Sequence, residues 1–185
     1  AITDSANLFG FLKFYKSVRS KGIKPIAGAE INHVRDSSSH NEHANLTLIA
    51  KNHLGYKNLI KLISKSQIVG KTSGIPVIET EWLSEHSDGL IALSGGFRGH
   101  IGKAVLDTNH DLFLKRIKYF QKIFKEDFIL EISRINRPQE DLYNDYILSK
   151  AGELGLPVVA SNEVRFIDKE AVSYTHLTLP TTEAV

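Results

Sequence analysis

The stretch GLIALSGGFRGHIGKAVLD, Gly89–Asp107, decides the fold. Gly89–Ser94 is a continuous apolar run of strand length, which reads as a buried strand. Gly95-Gly96 follows, and from about Gly99 to Leu106 the apolar residues return at helical spacing. Strand, glycine turn and helix in one short stretch make a β/α unit. Toward the C-terminus the pattern continues. Asp111–Phe124 predicts a helix and FILEIS, Phe128–Ser133, a strand. A further helix runs to about Leu154 with Pro138 in its first turn. Gly155-Leu156-Pro157 then leads into the strand VVAS, Val158–Ser161.

Toward the N-terminus the same reading holds. Glu79–Glu85 predicts a short helix with Trp82 on its buried side, and Gly70–Pro76 a Gly/Ser/Pro loop. His53–Val69 carries Leu54, Leu59, Leu62 and Ile63 and predicts a helix. Asn45–Lys51 and Pro25–Val34 predict strands, separated by a polar, exposed loop over Arg35–Ala44. Leu8, Phe11, Leu12, Tyr15 and Val18 recur at helical spacing until Gly22, and Ala1–Thr3 reads as part of a strand. Strands alternating with helices predict an α/β fold with mainly parallel strands, a sheet or a barrel. In such folds the chemistry sits at the C-terminal ends of the strands. The positions to question are therefore Asp4-Ser5, Glu30, Gly95-Gly96, Ser133-Arg134 and Asn162, Glu163 and Arg165.

Composition narrows the classes. The chain has 185 residues, 42% apolar and 24% charged, enough for one ordinary domain and unlike a disordered chain. Lys and Arg number 23 against 21 Asp and Glu, a net +2 that does not by itself argue for nucleic acid. Cysteine is absent, so disulfides, thiolate metal ligands and a cysteine nucleophile are excluded. No apolar run approaches the ~18 residues of a spanning helix, and no signal peptide precedes the first motif, which fits a cytoplasmic protein. Methionine is absent even at position 1, and the expectation is a fragment whose natural start lies upstream.

Several chemical readings compete with plainer ones. His40 and His43 lie in the polar loop, and His43 falls on the same face as Asn45 if the chain is extended there. His43 is thus a candidate ligand or, more plainly, a solvated loop residue. His33, His53, His86, His100 and His110 are scattered and read as surface or structural. Gly95-Gly96 precedes no Lys-Ser/Thr pair, so a P-loop is excluded and a tight turn is the reading. Lys57, Lys61 and Lys65 recur along one helix and suit either phosphate contacts or a solvated face.

Five segments in order carry a resemblance: AITDSANLFG, GIKPIAGAE, LIAKNHLGYKNLIKLIS, GLIALSGG and LGLPVVASNEVRFIDKEA. Together they resemble the polymerase-and-histidinol-phosphatase (PHP) domain found at the N-terminus of bacterial DNA polymerase III alpha subunits. The resemblance covers about residues 1–171. It implies an incomplete, distorted (β/α) barrel, lacking its first strand and its C-terminal part. Active members of the family hold divalent metals with His, Asp, Glu and sometimes Cys. Here Ser5 stands where a His follows the Thr-Asp pair, Asn45 where a His begins the third strand, and Gly96 where a Cys follows Ser-Gly. Glu30 is retained. Glu163 and Arg165 stand at the late Asp-x-His pair. Ser, Asn and Gly are poor ligands for zinc or manganese, and Arg165 adds a positive charge.

The resemblance therefore implies a vestigial site without metal or catalytic residues, in a domain that supports a polymerase core. Its implied partners are the proofreading exonuclease subunit and other replicase subunits, with DNA reached through the parent chain and no membrane. The parent would extend DNA with Mg2+, using carboxylates outside this chain. Two other readings stay open: an active metal-dependent phosphoesterase or 3′–5′ exonuclease, and a stand-alone binding module. Glu30 and Arg165 are expected in one pocket, paired directly or bridged by Asn45, Glu163 or water. After Ala171 the pattern breaks. The run SYTHLTLPTT resembles a translated sequencing-library adapter, so residues 172–185 are expected to be a non-native tail, the alternative being a divergent strand.

Overall fold

A computed structural model of the chain describes residues 1–35, 43–72, 74–162 and 164. Its elements follow the order β1 (Ile2–Ser5), α1 (Phe11–Arg19), β2 (Ala27–Val34), β3 (Ala44–Ala50), α2 (His53–Ile68), β4 (Lys71–Thr72), β5 (Ile75–Glu79) and α3 (Thr80–Glu85). β6 (Leu90–Leu93), α4 (His100–Leu106), α5 (His110–Phe124), β7 (Phe128–Ile132), α6 (Glu140–Leu154) and β8 (Val158–Ala160) complete it. One mixed sheet runs β4-β5-β2-β3-β6-β7-β8, with β1 beside β2. The pairs β1–β2, β2–β5, β6–β7 and β7–β8 are parallel. β3 runs against β2 and β6.

Two predicted boundaries are corrected. Gly70–Pro76 is not a loop throughout: Lys71–Thr72 pairs with Ile75–Glu79 in a hairpin, and β5 then joins β2. Its glycine and proline masked a strand whose Val77 and Ile78 are buried. Pro138 lies before α6 rather than in its first turn, because Gln139 is the cap residue.

The period-2 alternation of the strands sets the two faces of the sheet. On β2, Ala29, Ile31 and His33 point to the helical layer, and on β3 Leu46 and Leu48 do so. These pack with Leu59, Leu62 and Ile63 of α2, Phe113, Ile117 and Phe120 of α5, and Tyr143 and Ile147 of α6. Each fully buried leucine contributes about 1.5–3 kcal/mol at most. Asn52 caps α2 by accepting the Gly55 N–H at 2.9 Å, and Asn109 caps α5 through the Leu112 N–H at 3.0 Å. Gly55 must be glycine, because a β-carbon there would lie 1.8 Å from the Gly89 carbonyl oxygen.

Two of the histidines read as scattered meet in this layer. His33 and His100 are buried, with Nδ1 and Nε2 3.0 Å apart. His100 Nε2 also lies 3.0 Å from the His33 carbonyl, which makes it the N–H donor. His33 Nε2 then donates to Thr80 Oγ1 at 3.4 Å, Tyr119 O–H donates to the same oxygen at 2.7 Å, and Thr80 donates to the Arg35 carbonyl at 2.9 Å. Every donor finds an acceptor with both rings neutral. Burial is the main force holding both below the ordinary histidine range.

Candidate functional site

The face of the sheet opposite the helices lines a cavity of about 330 Å³. Thr3 of β1, Glu30 of β2, Asn45, Thr47 and Ile49 of β3, Leu93 of β6, Glu131 of β7 and Val159 of β8 all reach it. β1 and β8 stand far apart in the strand order yet share this cavity, so the sheet is curled around it. Antiparallel β3 enters with its N-terminal Asn45 at the end where its neighbours finish. Loops after β6, β7 and β8 form the rim, through Gly95–Arg98, Ser133, Arg137, Ser161 and Asn162.

Glu30 is the centre of the polar contacts. Asn45 Nδ2 donates to its Oε1, and Arg98 Nη2 lies 3.4 Å from the same oxygen. Arg98 gets there because of the turn before it. Gly95 has φ +76°, and a β-carbon on it would fall 2.0 Å from the Asn45 carbonyl oxygen. The tight-turn reading of Gly95-Gly96 thus holds: the turn folds flat over β3 and swings the following Arg98 above Glu30.

Glu131 brings a second carboxylate to the cavity and Arg137 a second guanidinium. Arg137 sits in a loop that Glu140 organises. The Glu140 carboxylate is buried and accepts from Ser133 Oγ at 3.0 Å, the Ile135 N–H at 2.8 Å and the Asn136 N–H at 2.9 Å. Burial pushes this carboxyl up, but the hydrogen bonds outweigh it and its pKa is lowered.

Of the residues singled out from sequence, Glu30, Asn45, Gly95, Gly96, Ser133 and Asn162 come together in the cavity. Ser5 stands in register beside Glu30 across the β1–β2 pair but is exposed and outside the lining. Asp4 faces the other way and accepts the Gly10 N–H at 3.1 Å, just before α1. His43 is not in the lining; its carbonyl accepts from Lys103 Nζ at 2.8 Å. His40, Glu163, Arg165 and the stretch 172–185 lie outside the described residues. Lys65 sits 4.3 Å from the centre of the Trp82 ring, which explains one member of the lysine series as a cation–π contact. Arg98, Glu131 and Arg137 escaped the sequence reading. Glu131 left one signal, a lone acidic residue inside the apolar strand FILEI.

A metal cluster of the kind the resemblance implies for active members would need several anionic or imidazole donors converging. Among the described residues no three His, Asp or Glu gather in that way. Glu30 is engaged by an amide and a guanidinium, Gly96 offers no side chain, and among the described residues the guanidiniums of Arg98 and Arg137 share the lining with the carboxylates of Glu30 and Glu131. The described donor set does not fit a metal cluster.

The profile of the PHP domain matches residues 1–135. The chain belongs to the PHP domain family. Its similarity extends further along the chain. The DNA polymerase III subunit alpha of Vibrio cholerae serotype O1 is 43% identical over 171 residues, 92% of this chain and 15% of that protein. The Escherichia coli K12 subunit is 42% identical over 168 residues, and that of Haemophilus influenzae 39% over 169. This PHP domain chain therefore spans about 15% of the length of these relatives. Among the described residues, no helix is long and apolar enough to cross a membrane.

Proposed function

We propose that this chain is the PHP region of a cytoplasmic, replicative DNA-directed DNA polymerase of the DNA polymerase III alpha type. In that reading it is a non-catalytic scaffold that docks the proofreading exonuclease subunit beside the polymerase core. The polymerase reaction, with its Mg2+, belongs to other parts of the parent chain. The observation that carries the scaffold reading is the state of Glu30. Its carboxylate is held by Asn45 and Arg98, where a metallo-phosphoesterase needs it turned to an ion. The neighbouring Ser5 and Gly96 supply neither imidazole nor thiolate.

The test is docking measured with and without a chelator. The chain is mixed with the exonuclease subunit of a matching replicase and run on a sizing column. A complex that forms equally in excess EDTA is expected, with elemental analysis finding less than one zinc or manganese per chain. No complex, or a phosphodiesterase activity abolished by EDTA, would sink the scaffold reading. The latter would favour the metal-dependent exonuclease alternative.

A further inference from the structure

Helix α5 and the residue after it carry charge out of proportion to the rest of the chain. His110–Lys125 hold five basic residues, Lys115, Arg116, Lys118, Lys122 and Lys125, against the single acid Asp111. That is a net +4 where the whole chain is +2, so all other residues together are acidic by two charges. Lys115, Lys118 and Lys122 follow one another at helical spacing on the exposed side, and exposed Lys125 comes directly after the helix. Arg116 turns inward and donates to the His100 carbonyl. The four lysines form no ion pair among the described residues. Like charges three and four residues apart weaken a helix, and as acidic neighbours at helical spacing Lys115, Lys118 and Lys122 have only Asp111, four residues before Lys115, and Glu126, four residues after Lys122.

The chemistry of the face selects its partner. Its aromatic residues are turned away: Phe113, Phe120 and Phe124 are buried, and Tyr119 is held by Thr80 with the Arg35 guanidinium 5.4 Å from its ring centre. No ring is offered for stacking, which single-stranded bases need. What remains is a row of ammonium groups rising about 10 Å from Lys115 to Lys122, at ~1.5 Å per residue. We propose that the lysine face of α5 docks on the sugar-phosphate backbone of duplex DNA without reading its sequence. The choice of nucleic acid as the polyanion rests on the reading of the chain as part of a DNA polymerase.

The test is fluorescence anisotropy of the 185-residue chain with a short labelled duplex across a salt series. Wild type is expected to bind at low salt, with log K falling against log salt by about 0.9 for each phosphate neutralised, a slope near −3 to −4. K115Q/K118Q/K122Q/K125Q should lose about tenfold or more in affinity and flatten the slope by at least about 2. The matching Lys→Arg variant should keep both, and K57Q/K61Q on α2 should stay within about twofold of wild type. Circular dichroism checks the fold of the glutamine variant. If it is unfolded, Lys118→Glu against Lys61→Glu makes the same comparison. No duplex binding by wild type, an equal loss in the α2 variant, an unaffected α5 variant, or tighter binding of a single strand of equal length would each overturn the proposal. The docking assay with the exonuclease contains no DNA, so the two readings fail separately.

Discussion

Asn45 and Glu30 sit on adjacent antiparallel strands, offset by two residues, since Glu30 pairs with Thr47 and Asn45 with Asn32, and the Asn45 amide donates to the Glu30 carboxylate. The amide supplies a neutral donor where an acidic side chain would repel, and Arg98 adds a cation on the same oxygen. Asn45→Ala is expected to cost about 1.5–3 kcal/mol, the worth of a hydrogen bond to a charged acceptor. Asn45→Asp should cost more at neutral pH, because two carboxylates then face one another. Urea denaturation at pH 7 checks this. An aspartate tolerated as well as asparagine at pH 7 would mean that the Glu30 contact is not formed.

The close approach of α2 to the turn before β6 gives a second prediction. A β-carbon on Gly55 would lie 1.8 Å from the Gly89 oxygen, and backbone has to move to admit it. Gly55→Ala should destabilise the domain by about 2 kcal/mol or more, in the range of overpacked cores. Gly152, inside α6, is the contrast, because a β-carbon there would meet nothing within 4 Å. At that position alanine should stabilise by about 0.5–1 kcal/mol through helix propensity. Thermal melts of the two variants should move in opposite directions. A neutral Gly55→Ala would show that the helix has room to retreat.

Most of the fold was legible because apolar periodicity is a local property. Gly89–Leu106 reads as strand, turn and helix without help from the rest of the chain. β5 was missed because Gly74 and Pro76 imitate a loop, while its strand character depends on pairing with distant β2. The site divides in the same way. Glu30 and Gly96 were found at strand ends, and Asn45 through the resemblance to PHP domains. Arg98 looked like any surface arginine, since only the fold-back of Gly95 over the Asn45 carbonyl aims it at Glu30. His33 and His100 are 67 residues apart in sequence, and nothing local to either announces the other.

Glu140 links the first turn of α6 to the rim of the cavity. Its bonds to Ser133, Ile135 and Asn136 fix the loop that carries Arg137. Glu140→Gln keeps the volume but replaces a charged acceptor with a weaker one and adds donors that face N–H groups. It should lower the thermal midpoint at pH 7 more than Asp141→Asn on the exposed side of the same turn. The sign of the pH dependence follows from the lowered carboxyl. Its stabilisation is present above the ordinary value of 4.5 and is lost as the pH falls through the folded-state value. In Glu140→Gln that part of the acid dependence should disappear. Equal midpoints for the two variants would mean that the loop does not depend on this carboxylate.

The buried histidine pair gives the last prediction, in a different pH range. Burial lowers His33 well below 6.5, helped by His100 and Arg35. Burial likewise brings His100 to about 3, against the bond to the His33 carbonyl and with help from Arg116, Lys103 and Arg35. Tyr119 and Thr80 complete the surroundings, and no described carboxylate contacts either ring. Protonating His33 Nδ1 would point a second N–H at the His100 Nε2–H. The unfolded chain takes up these protons near pH 6.5 while the folded chain refuses them. Stability is therefore complete above 6.5 and falls as the pH drops toward 3, by about 1.4 kcal/mol per pH unit for each histidine kept neutral. Between pH 6 and 5 most carboxylates stay ionised, so the slope there reports mainly on histidines. His100→Gln can still donate to the His33 carbonyl and removes one titrating ring. Its slope of unfolding free energy in that window should be shallower than wild type by about 1.4 kcal/mol per pH unit. An unchanged slope would mean that His100 takes up its proton in the folded state as readily as in the unfolded one.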